Sequence, residues 1–264
     1  MCYLLIGLLL VCHGALAQPD PFPKVATAYL VQLNGQLLWE RQVQRRLPPA
    51  SLTKLMTVLL VLDDYQPRAV VPISHLAAKE TGTRLGVHNG QRFYLEDLLA
   101  AALLNSDNDA CHALADYMAG SQERFVQKMN QRAKQLGMRH THFANACGHD
   151  AADHYSTAQD LALLANALLK IPLVTELAMR ASAQFSALDD KVIYQVENKN
   201  SLIGRYPGVQ GLKTGYTPKA GKCLIAYVRR GGDAVLLVML NAPDRWWDAV
   251  DILDLAFAQA RRAS

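Results

Sequence analysis

The hydrophobic and polar positions at the start of the chain follow a strand pattern and then a helical one. Val25 to Leu33 alternates loosely, Asn34-Gly35 is typical of a type I′ hairpin turn, and Gln36 to Glu40 continues as a second strand. After Pro48-Pro49, apolar residues recur at helical spacing from Leu52 to Leu62. This part is therefore predicted to form a β-hairpin followed by a helix.

The middle of the chain has the pattern of several helices. The pattern extends from about Leu95 to Lys170, with breaks at Asn105-Ser106, Gly120-Ser121, Gly137 and a loop from about His140 to Tyr155. We expect an all-helical lobe here, inserted over about residues 66–190.

Strand patterns return after this lobe, and a helix closes the chain. The predicted strands are Val192–Val196, the stretch that leads to Lys213, Cys223–Arg229 and, after a Gly231-Gly232 turn, Asp233–Asn241. The predicted last helix is Asp244–Arg261, and one of its faces carries Trp246, Val250, Leu253 and Phe257. The order predicts an α/β chain of the α+β type: an antiparallel sheet built from both chain ends, flanked by helices, with a cleft between sheet and lobe.

The amino terminus carries a short apolar run from Tyr3 to Val11, followed by the small-x-small sequence Ala15-Leu16-Ala17. This pattern is typical of a signal peptide, although no Lys or Arg precedes the run. We predict cleavage after Ala17, so that residues 1–17 are the signal peptide and residues 18–264 form a single domain. The predicted location is the periplasm or cell-wall space.

Composition narrows the class of protein. The 264 residues are 51% hydrophobic and 19% charged, which is typical of a globular chain and excludes coiled-coil and disordered classes. A net charge of +4 is too small for the basic surface of a nucleic-acid-binding protein, so we expect no nucleic-acid partner. No later apolar stretch is long enough to span a membrane, and we expect membrane association to be at most peripheral.

Three cysteines follow the predicted cleavage site, namely Cys111, Cys147 and Cys223. Because the number is odd, at least one thiol should be free even in an oxidising compartment. The sequence leaves open whether Cys147 and Cys223 form a disulfide.

Ser51-Leu52-Thr53-Lys54 places a hydroxyl and an amine three residues apart at the start of a helix. Both side chains then project from one face and can touch. A serine is a poor nucleophile alone, but a lysine kept neutral by burial and neighbouring positive charge can take its proton. A capping role for Ser51 beside a solvated Lys54 explains the same residues.

Ser106-Asp107-Asn108 falls at the break between two predicted helices, where short polar side chains can point into a cleft. There Ser106 can relay protons, and Asn108 can hold a substrate carbonyl and the lysine amine. A helix N-cap is the alternative interpretation of this tripeptide.

Lys213-Thr214-Gly215 lies on a predicted strand, and Gly215 leaves room for the backbone of a ligand. A strand edge can bind an extended peptide by β-addition, and Lys213 with Thr214 would then meet an anionic terminus. The alternative is an exposed edge strand that a lysine protects against aggregation.

Together and in this order, the three elements resemble the SxxK, SDN and KTG set of penicillin-binding proteins and serine β-lactamases. The resemblance extends from about Val25 to Phe257 and is closest to the low-molecular-mass D-alanyl-D-alanine carboxypeptidases. It is carried by Ala50–Thr57 (ASLTKLMT), Ser106–Cys111 (SDNDAC), Tyr155–Asp160 (YSTAQD) and Gly211–Thr217 (GLKTGYT). It implies a β-lactamase/penicillin-binding transpeptidase-like fold, without the β-rich second domain of larger relatives.

The resemblance also implies an activity and a set of roles. The enzyme would remove the terminal D-Ala from peptidoglycan stem peptides through an acyl-enzyme, bind β-lactam antibiotics covalently and need neither cofactor nor metal. Ser51 would be the nucleophile and Lys54 its base, with Ser106 and Asn108 completing the proton network. Substrate would be bound by Lys213, Thr214, Gly215 and Tyr216, and the backbone amides of Ser51 and Tyr216 would form the oxyanion hole.

Two related activities use the same groups. A DD-endopeptidase cleaves cross-linked peptides instead of free ones, and the motifs barely distinguish it from a carboxypeptidase. A class A β-lactamase needs a glutamate after the SDN helix to activate water, but this chain has no Glu between Glu123 and Glu176. We therefore expect penicillin to acylate Ser51 and to leave slowly.

Two hypotheses come from other classes of protein. His140, His142, Cys147, His149 and His154 are close in sequence and are residue types that bind zinc, but their spacing fits no zinc motif. A wall-binding module without catalysis is the second, and the joint presence of Ser51 and Lys54 argues against it.

Overall fold

The order of strands and helices follows the predicted division into two strand-rich ends and a helical middle. The structure, a computed structural model, describes residues 20–189 and 192–263. The strands are β1 (Ala28–Leu33), β2 (Gln36–Arg41), β3 (Val70–Pro72), β4 (Arg92–Tyr94), β5 (Ser182–Ser186), β6 (Ile193–Glu197), β7 (Val209–Thr217), β8 (Gly221–Arg230) and β9 (Asp233–Leu240). The α-helices are α1 (Lys54–Leu62), α2 (Leu95–Leu104), α3 (Asn108–Ala119), α4 (Gln122–Gln135), α5 (Ala158–Leu168), α6 (Pro172–Ala178) and α7 (Arg245–Ala263).

A five-stranded antiparallel sheet joins the two ends of the chain. Its strand order is β2-β1-β9-β8-β7, so the amino-terminal hairpin pairs through β1 with β9. The predicted sheet is thereby confirmed. Strand β7 lies at one edge, which leaves one side of its backbone without a partner strand in this sheet.

The two faces of the sheet pack against different parts of the protein. Side chains alternate along each strand, so Leu30 and Val238 enter the core shared with α1, α5 and the helical lobe. Tyr29 and Leu237 point to the other face and enter a second core with α7. The sheet is therefore buried on both sides.

Helix α7 covers the second face through the side chains predicted to share one stripe. Leu253 and Phe257 are buried against the sheet, and Trp246 and Val250 are partly buried beside them. The neighbouring Trp247 lies off the stripe and is 73% exposed. The apolar face of this helix is thus occupied by the sheet.

The inserted lobe is helical where the pattern is strongest, but the expectation of an all-helical lobe over residues 66–190 is wrong. Two small hairpins, β3 with β4 and β5 with β6, lie within or beside it. Strands β3 and β4 have three residues each, too few to show a two-residue repeat in the sequence. The short helix α6 was also not predicted, and it begins at Pro172, a residue favoured in a first turn.

Two expectations concern membranes. The predicted signal peptide, residues 1–17, lies outside the described residues. Within residues 20–189 and 192–263 no single helix is both long and apolar enough to cross a membrane. Only the bent pair Ala158–Leu168 and Pro172–Ala178, with an angle of 106° between them, reaches that length and composition together.

The packing of α7 on the sheet gives a stability prediction. We expect Leu253→Ala to lower the free energy of unfolding by about 3 kcal/mol, because the substitution leaves a cavity in a fully buried site. Trp247→Ala, on the exposed side of the same helix, should change it by less than about 0.5 kcal/mol. Urea unfolding of the two variants measures the difference, and equal effects would contradict the assigned buried face.

Candidate active site

Ser51 lies in a 3₁₀ turn, Ala50–Thr53, that leads directly into α1. Its hydroxyl does not cap either helical segment, because neither start has a side-chain cap hydrogen bond. Instead, Oγ of Ser51 lies 3.1 Å from Nζ of Lys54, three residues along the same face. The capping interpretation of Ser51 is therefore wrong.

Lys54 is completely buried and its amine has three oxygen neighbours. Nζ donates to Oγ of Ser51 at 3.1 Å, to Oδ1 of Asn108 at 2.6 Å and to the carbonyl oxygen of Cys147 at 2.7 Å. These match the three donors of an ammonium group. In the neutral amine, Asn108 and Cys147 still accept both N–H groups, which leaves the lone pair directed at the hydroxyl of Ser51.

Asn108 is the first residue of α3, after a break in which Ser106 adopts a left-handed φ of 70°. Its side-chain Nδ2 donates to the carbonyl of Thr81 at 2.6 Å, and its backbone N–H donates to the carbonyl of Thr83 at 2.8 Å. Because Nδ2 has this acceptor, Oδ1 is the atom that faces Lys54. The helix-cap alternative fails, since Asp107 holds the N-cap position and makes no cap hydrogen bond with its side chain.

Strand β7 brings the third predicted element against the turn that holds Ser51. A Cβ on Gly215 would lie 3.1 Å from the backbone nitrogen of Ser51 and 3.1 Å from Cβ of Ala50, so only glycine fits without displacing that turn. Nη1 of Arg245, on α7, donates to the carbonyl of Gly215 at 2.7 Å. Strand β7 is therefore fixed both to the turn Ala50–Thr53, which holds Ser51, and to helix α7. We call this turn the nucleophile turn, after the predicted role of Ser51.

A cavity of about 300 Å³ lies at the meeting point of these elements. Its lining residues are Ser51, Gly82, Thr83, Ser106, Asn108, Cys147, Gly148, His149, Tyr216, Thr217 and Pro218. Four predicted site residues line it, and Tyr216 is an exposed residue on its rim. Lys54 is buried and does not line the cavity. Lys213, Thr214 and Gly215 belong to β7, as Tyr216 does, but they also lie outside the set of lining residues.

The segment Asn145–His149 forms the opposite wall of this cavity. Oδ1 of Asn145 accepts from the backbone N–H groups of Gly148 at 2.7 Å and His149 at 3.0 Å. Gly148 has a φ of +89°, and a Cβ there would lie 2.0 Å from the carbonyl oxygen of Ala50. The wall thus packs its backbone directly on the nucleophile turn, and this contact was not predicted from the sequence.

Lysines dominate the electrostatics around the cavity. Burial holds the pKa of Lys213 well below its usual value, and the positive charge of Lys54 lowers it further. Burial also lowers the pKa of Lys199, whose Nζ donates to Oγ1 of Thr83. Burial, with a smaller contribution from Asp109, raises the pKa of Asp107 to about 7. An anionic ligand placed beside these lysines would favour their charged forms.

Two of the histidines considered as zinc ligands, His142 and His154, have separate partners. His154 accepts at Nδ1 from the backbone N–H of Ala144 at 3.0 Å, so its Nε2–H donates to Oγ1 of Thr53 at 2.8 Å. Nδ1 of His142 lies 2.7 Å from the carbonyl of Asp153. In the part of the chain that the structure describes, no three His, Cys, Asp or Glu side chains are arranged to hold a metal.

The three remaining cysteines are buried with free thiols. Sγ of Cys111 donates to the carbonyl of Ala146 at 3.3 Å, and Sγ of Cys147 donates to that of Asn108 at 3.5 Å. The disulfide between Cys147 and Cys223 that the sequence left open is not formed.

Asp109 and Arg245 are further residues that the sequence analysis missed. The carboxylate of Asp109 accepts from the backbone N–H groups of Leu85, Gly86 and Val87, which fixes the segment before β4 against α3. The only sequence signal was a second acidic residue next to the SDN triplet. Arg245 gave no signal, because its acceptors are two strand carbonyls distant in sequence.

Fold and site together are those of a serine peptidase of the penicillin-binding protein class. The family model for D-alanyl-D-alanine carboxypeptidase matches residues 19–244. The chain belongs to this family, as the motifs of its sequence suggested.

Relatives of known name support this family assignment. The chain is 34% identical over 277 aligned positions to the D-alanyl-D-alanine carboxypeptidase DacF of Bacillus subtilis, covering 97% of this chain and 70% of DacF. It is 33% identical over 217 positions to a D-alanyl-D-alanine endopeptidase of Pseudomonas aeruginosa, covering 80% of this chain and 69% of that protein. The crystal structure of D-alanyl-D-alanine carboxypeptidase from Mycobacterium tuberculosis H37Rv superposes with a TM-score of 0.85 at 31% identity, over 92% of this chain and 95% of that one.

The buried His154 gives a pH prediction for the stability of the site. Burial lowers its pKa from 6.5 to about 4, so between these values the unfolded chain binds a proton that the folded chain does not. The stability from neutral His154 is fully present above about pH 6.5 and is lost as the pH falls toward 4. The unfolding free energy of wild type should fall between pH 7.5 and pH 4.5, and roughly 2 to 3 kcal/mol of this fall should come from His154. We expect the fall to be smaller by that amount in His154→Gln.

Urea unfolding at the two pH values provides the measurement, with His75→Gln at an exposed position as the control. Asp107 titrates over an overlapping range with the opposite sign, because its raised pKa favours the folded state at low pH. The test is therefore the difference between wild type and variant, in which the Asp107 contribution cancels. The same pH dependence in both would contradict a neutral buried His154.

Proposed function

We propose that this chain is a serine-type D-alanyl-D-alanine carboxypeptidase, which removes the terminal D-Ala from peptidoglycan stem peptides through an acyl-enzyme on Ser51. The observation that carries the proposal is the position of Lys54. Its Nζ lies 3.1 Å from the hydroxyl of Ser51 while its other contacts are fixed by Asn108 and Cys147. This is the geometry of a nucleophile with an adjacent base.

In the first half of the reaction, Oγ of Ser51 attacks the carbonyl carbon of the penultimate D-Ala, and the neutral amine of Lys54 takes the hydroxyl proton. The tetrahedral oxyanion is stabilised by the backbone N–H groups of Ser51 and Tyr216. The peptide C–N bond then breaks, and the departing D-Ala amine receives the proton through Lys54 and Ser106. An ester of Ser51 remains.

In the second half, water attacks this ester and gives its proton to the same amine. The acyl C–O bond breaks, Ser51 regains its hydroxyl proton, and the shortened peptide leaves with a new carboxylate. Asn108 holds the amine in place throughout, because its Oδ1 accepts from Lys54 while its Nδ2 is held by Thr81.

Substrate recognition uses strand β7 in this proposal. Its free edge lets an extended peptide add as a further strand, with the terminal carboxylate near Lys213 and Thr214. Gly215 lets the peptide approach the nucleophile turn closely, and Tyr216 lies on the exposed rim of the cavity. The lysine-rich surroundings favour this anionic end over an amide or an uncharged terminus.

We place the enzyme in the periplasm or cell-wall space, where its substrate lies. The amino-terminal pattern of an apolar run followed by Ala15-Leu16-Ala17 supports export. We also propose that residues 18–264 form one catalytic domain.

A DD-endopeptidase is the second candidate function, and the similarity to the Pseudomonas aeruginosa endopeptidase favours it. The chemical groups required are the same. The difference lies in whether the leaving amine belongs to free D-Ala or to a cross-linked stem peptide.

Mass analysis of products tests the activity. Incubated with a mixture of pentapeptide monomers and cross-linked dimers, the protein should remove one D-Ala from monomers while dimers persist. Ser51→Ala should lower the rate by roughly 10⁴-fold or more, because the nucleophile is lost. Faster cleavage of dimers would establish the endopeptidase, and no Ser51-dependent product from either substrate would contradict both functions.

Penicillin distinguishes the enzyme from a β-lactamase. We expect a burst of one equivalent of penicillin consumed per protein, followed by slow release, because no glutamate lies between Glu123 and Glu176 to activate the deacylating water. Hydrolysis followed by absorbance, with Ser51→Ala as the control, measures burst and steady state. Rapid continuous hydrolysis would contradict this prediction.

A further inference from the structure

A carboxylate outside the reaction described above connects two walls of the active site. Oε1 of Glu80 lies 2.6 Å from Nδ1 of His112, on α3, and Oε2 lies 2.9 Å from Nε2 of His149, on the wall segment Asn145–His149. Glu80 and His112 are largely buried. A single side chain thus bridges the helix that carries Asn108 and the loop that carries the carbonyl of Cys147.

Glu80 also begins the segment that orients Asn108. The next residue, Thr81, supplies the carbonyl that accepts from Nδ2 of Asn108, and the carbonyl of Thr83 accepts from its backbone N–H. Two of the three acceptors of Lys54 therefore depend on elements that Glu80 joins.

The wall segment lies between two cavities. Cys147, Gly148 and His149 line the active-site cavity. Behind them a second cavity of about 440 Å³ is lined by Ala144, Asn145, Ala146, Cys147 and His149, together with Glu80, His112 and residues of α4. On the side of the active site, Gly148 packs on Ala50 and the hydroxyl of Thr57 donates to the carbonyl of Ala146. On the side of the second cavity, the hydrogen bond between His149 and Glu80 fixes the segment.

We propose that Glu80 is a positioning residue of the reaction: by bridging His112 and His149, it holds the carbonyl of Cys147 and the side chain of Asn108 at Lys54. The inference rests on the proposed function, since it assigns Glu80 a part in acylation of Ser51. Glu80 itself touches neither Ser51 nor Lys54 in the described structure.

The bridge is electrostatically favourable. Burial acts to raise the pKa of Glu80, but the hydrogen bonds from His112 and His149 outweigh it and hold the pKa below its ordinary value. Burial acts to lower the pKa of His112, but Glu80 and then Asp116 raise it overall. The titratable groups that face the bridge are Cys111, His112 and Asp116 on α3, Cys147 and His149 on the wall, and Glu123 on α4.

The Glu80→Gln variant tests whether the bridge itself, rather than the mere presence of a side chain at this position, supports the site. A carboxylate accepts from both imidazoles whether they are neutral or protonated, whereas an amide has one acceptor oxygen and one donor nitrogen. The amide can therefore bridge two neutral imidazoles, accepting from one and donating to the other. It cannot bridge two imidazolium groups, which only donate.

The experiment measures the second-order rate constant for acylation of Ser51 by a labelled penicillin between pH 5.5 and 8.5. We expect Glu80→Ala to lower it roughly 10- to 100-fold throughout, because displacement of catalytic groups by about 1 Å costs up to about 100-fold. At pH 8.5, Glu80→Gln should approach wild type, because the amide can bridge two neutral imidazoles where alanine can make neither contact. The control is Glu123→Gln, which lines the same second cavity and should match wild type.

The final amount of label counts the folded sites, so each rate is expressed per labelled site. Wild-type rates per site in Glu80→Ala would overturn the proposal, as would a loss in Glu80→Gln at pH 8.5 as large as that in Glu80→Ala. Failure of the proposed function gives a different result, because wild-type protein would then be neither acylated nor able to cleave D-Ala-D-Ala peptides.

Discussion

The burial of the Lys54 amine is the constraint on which the rest of the structure depends. A polar group removed from water costs several kcal/mol unless it is hydrogen-bonded, and an ammonium ion costs more. The acceptors come from three places: the turn before α1, the start of α3 and the carbonyl of Cys147. The sheet-associated helix, the inserted lobe and the wall segment must therefore meet at one atom, so the packing that stabilises the fold also brings together Ser51 and Lys54, the proposed nucleophile and base.

The sheet contributes a rigid edge to this meeting point. Strand β7 pairs with β8 on one side, and at Gly215 it packs against the turn that holds Ser51. Helix α7 covers the sheet, but its first residue, Arg245, also donates to the carbonyl of Gly215 and so orients the peptide group whose N–H, that of Tyr216, belongs to the proposed oxyanion hole. The sequence pattern of α7 indicates only that this helix covers the core, but the helix also fixes the backbone of β7 at the candidate active site.

The motif residues were predictable because each group lies close together in sequence. Ser51 and Lys54 share a helical face, and Ser106 to Asn108 occupy a helix break. The main sheet was predictable from its strand repeats and the Asn34-Gly35 turn. Glu80, Asp109 and Gly148 were not, since each acts through backbone or side-chain contacts with segments distant in sequence. The motifs thus identify the reacting groups, whereas the groups that hold them in place become visible only in three dimensions.

Charge balance connects the buried lysines to the substrate in the proposed function. Lys213 is buried and forms no salt bridge with an acidic side chain among the described residues, and burial and Lys54 both lower its pKa. The neighbouring acid Asp107 is poorly suited to supply a negative charge, because burial raises its own pKa to about 7. A substrate carboxylate placed at Lys213 would supply the missing anion and favour the charged form of this lysine. The site would then favour a terminal carboxylate, because the bound anion and the charged form of Lys213 stabilise each other.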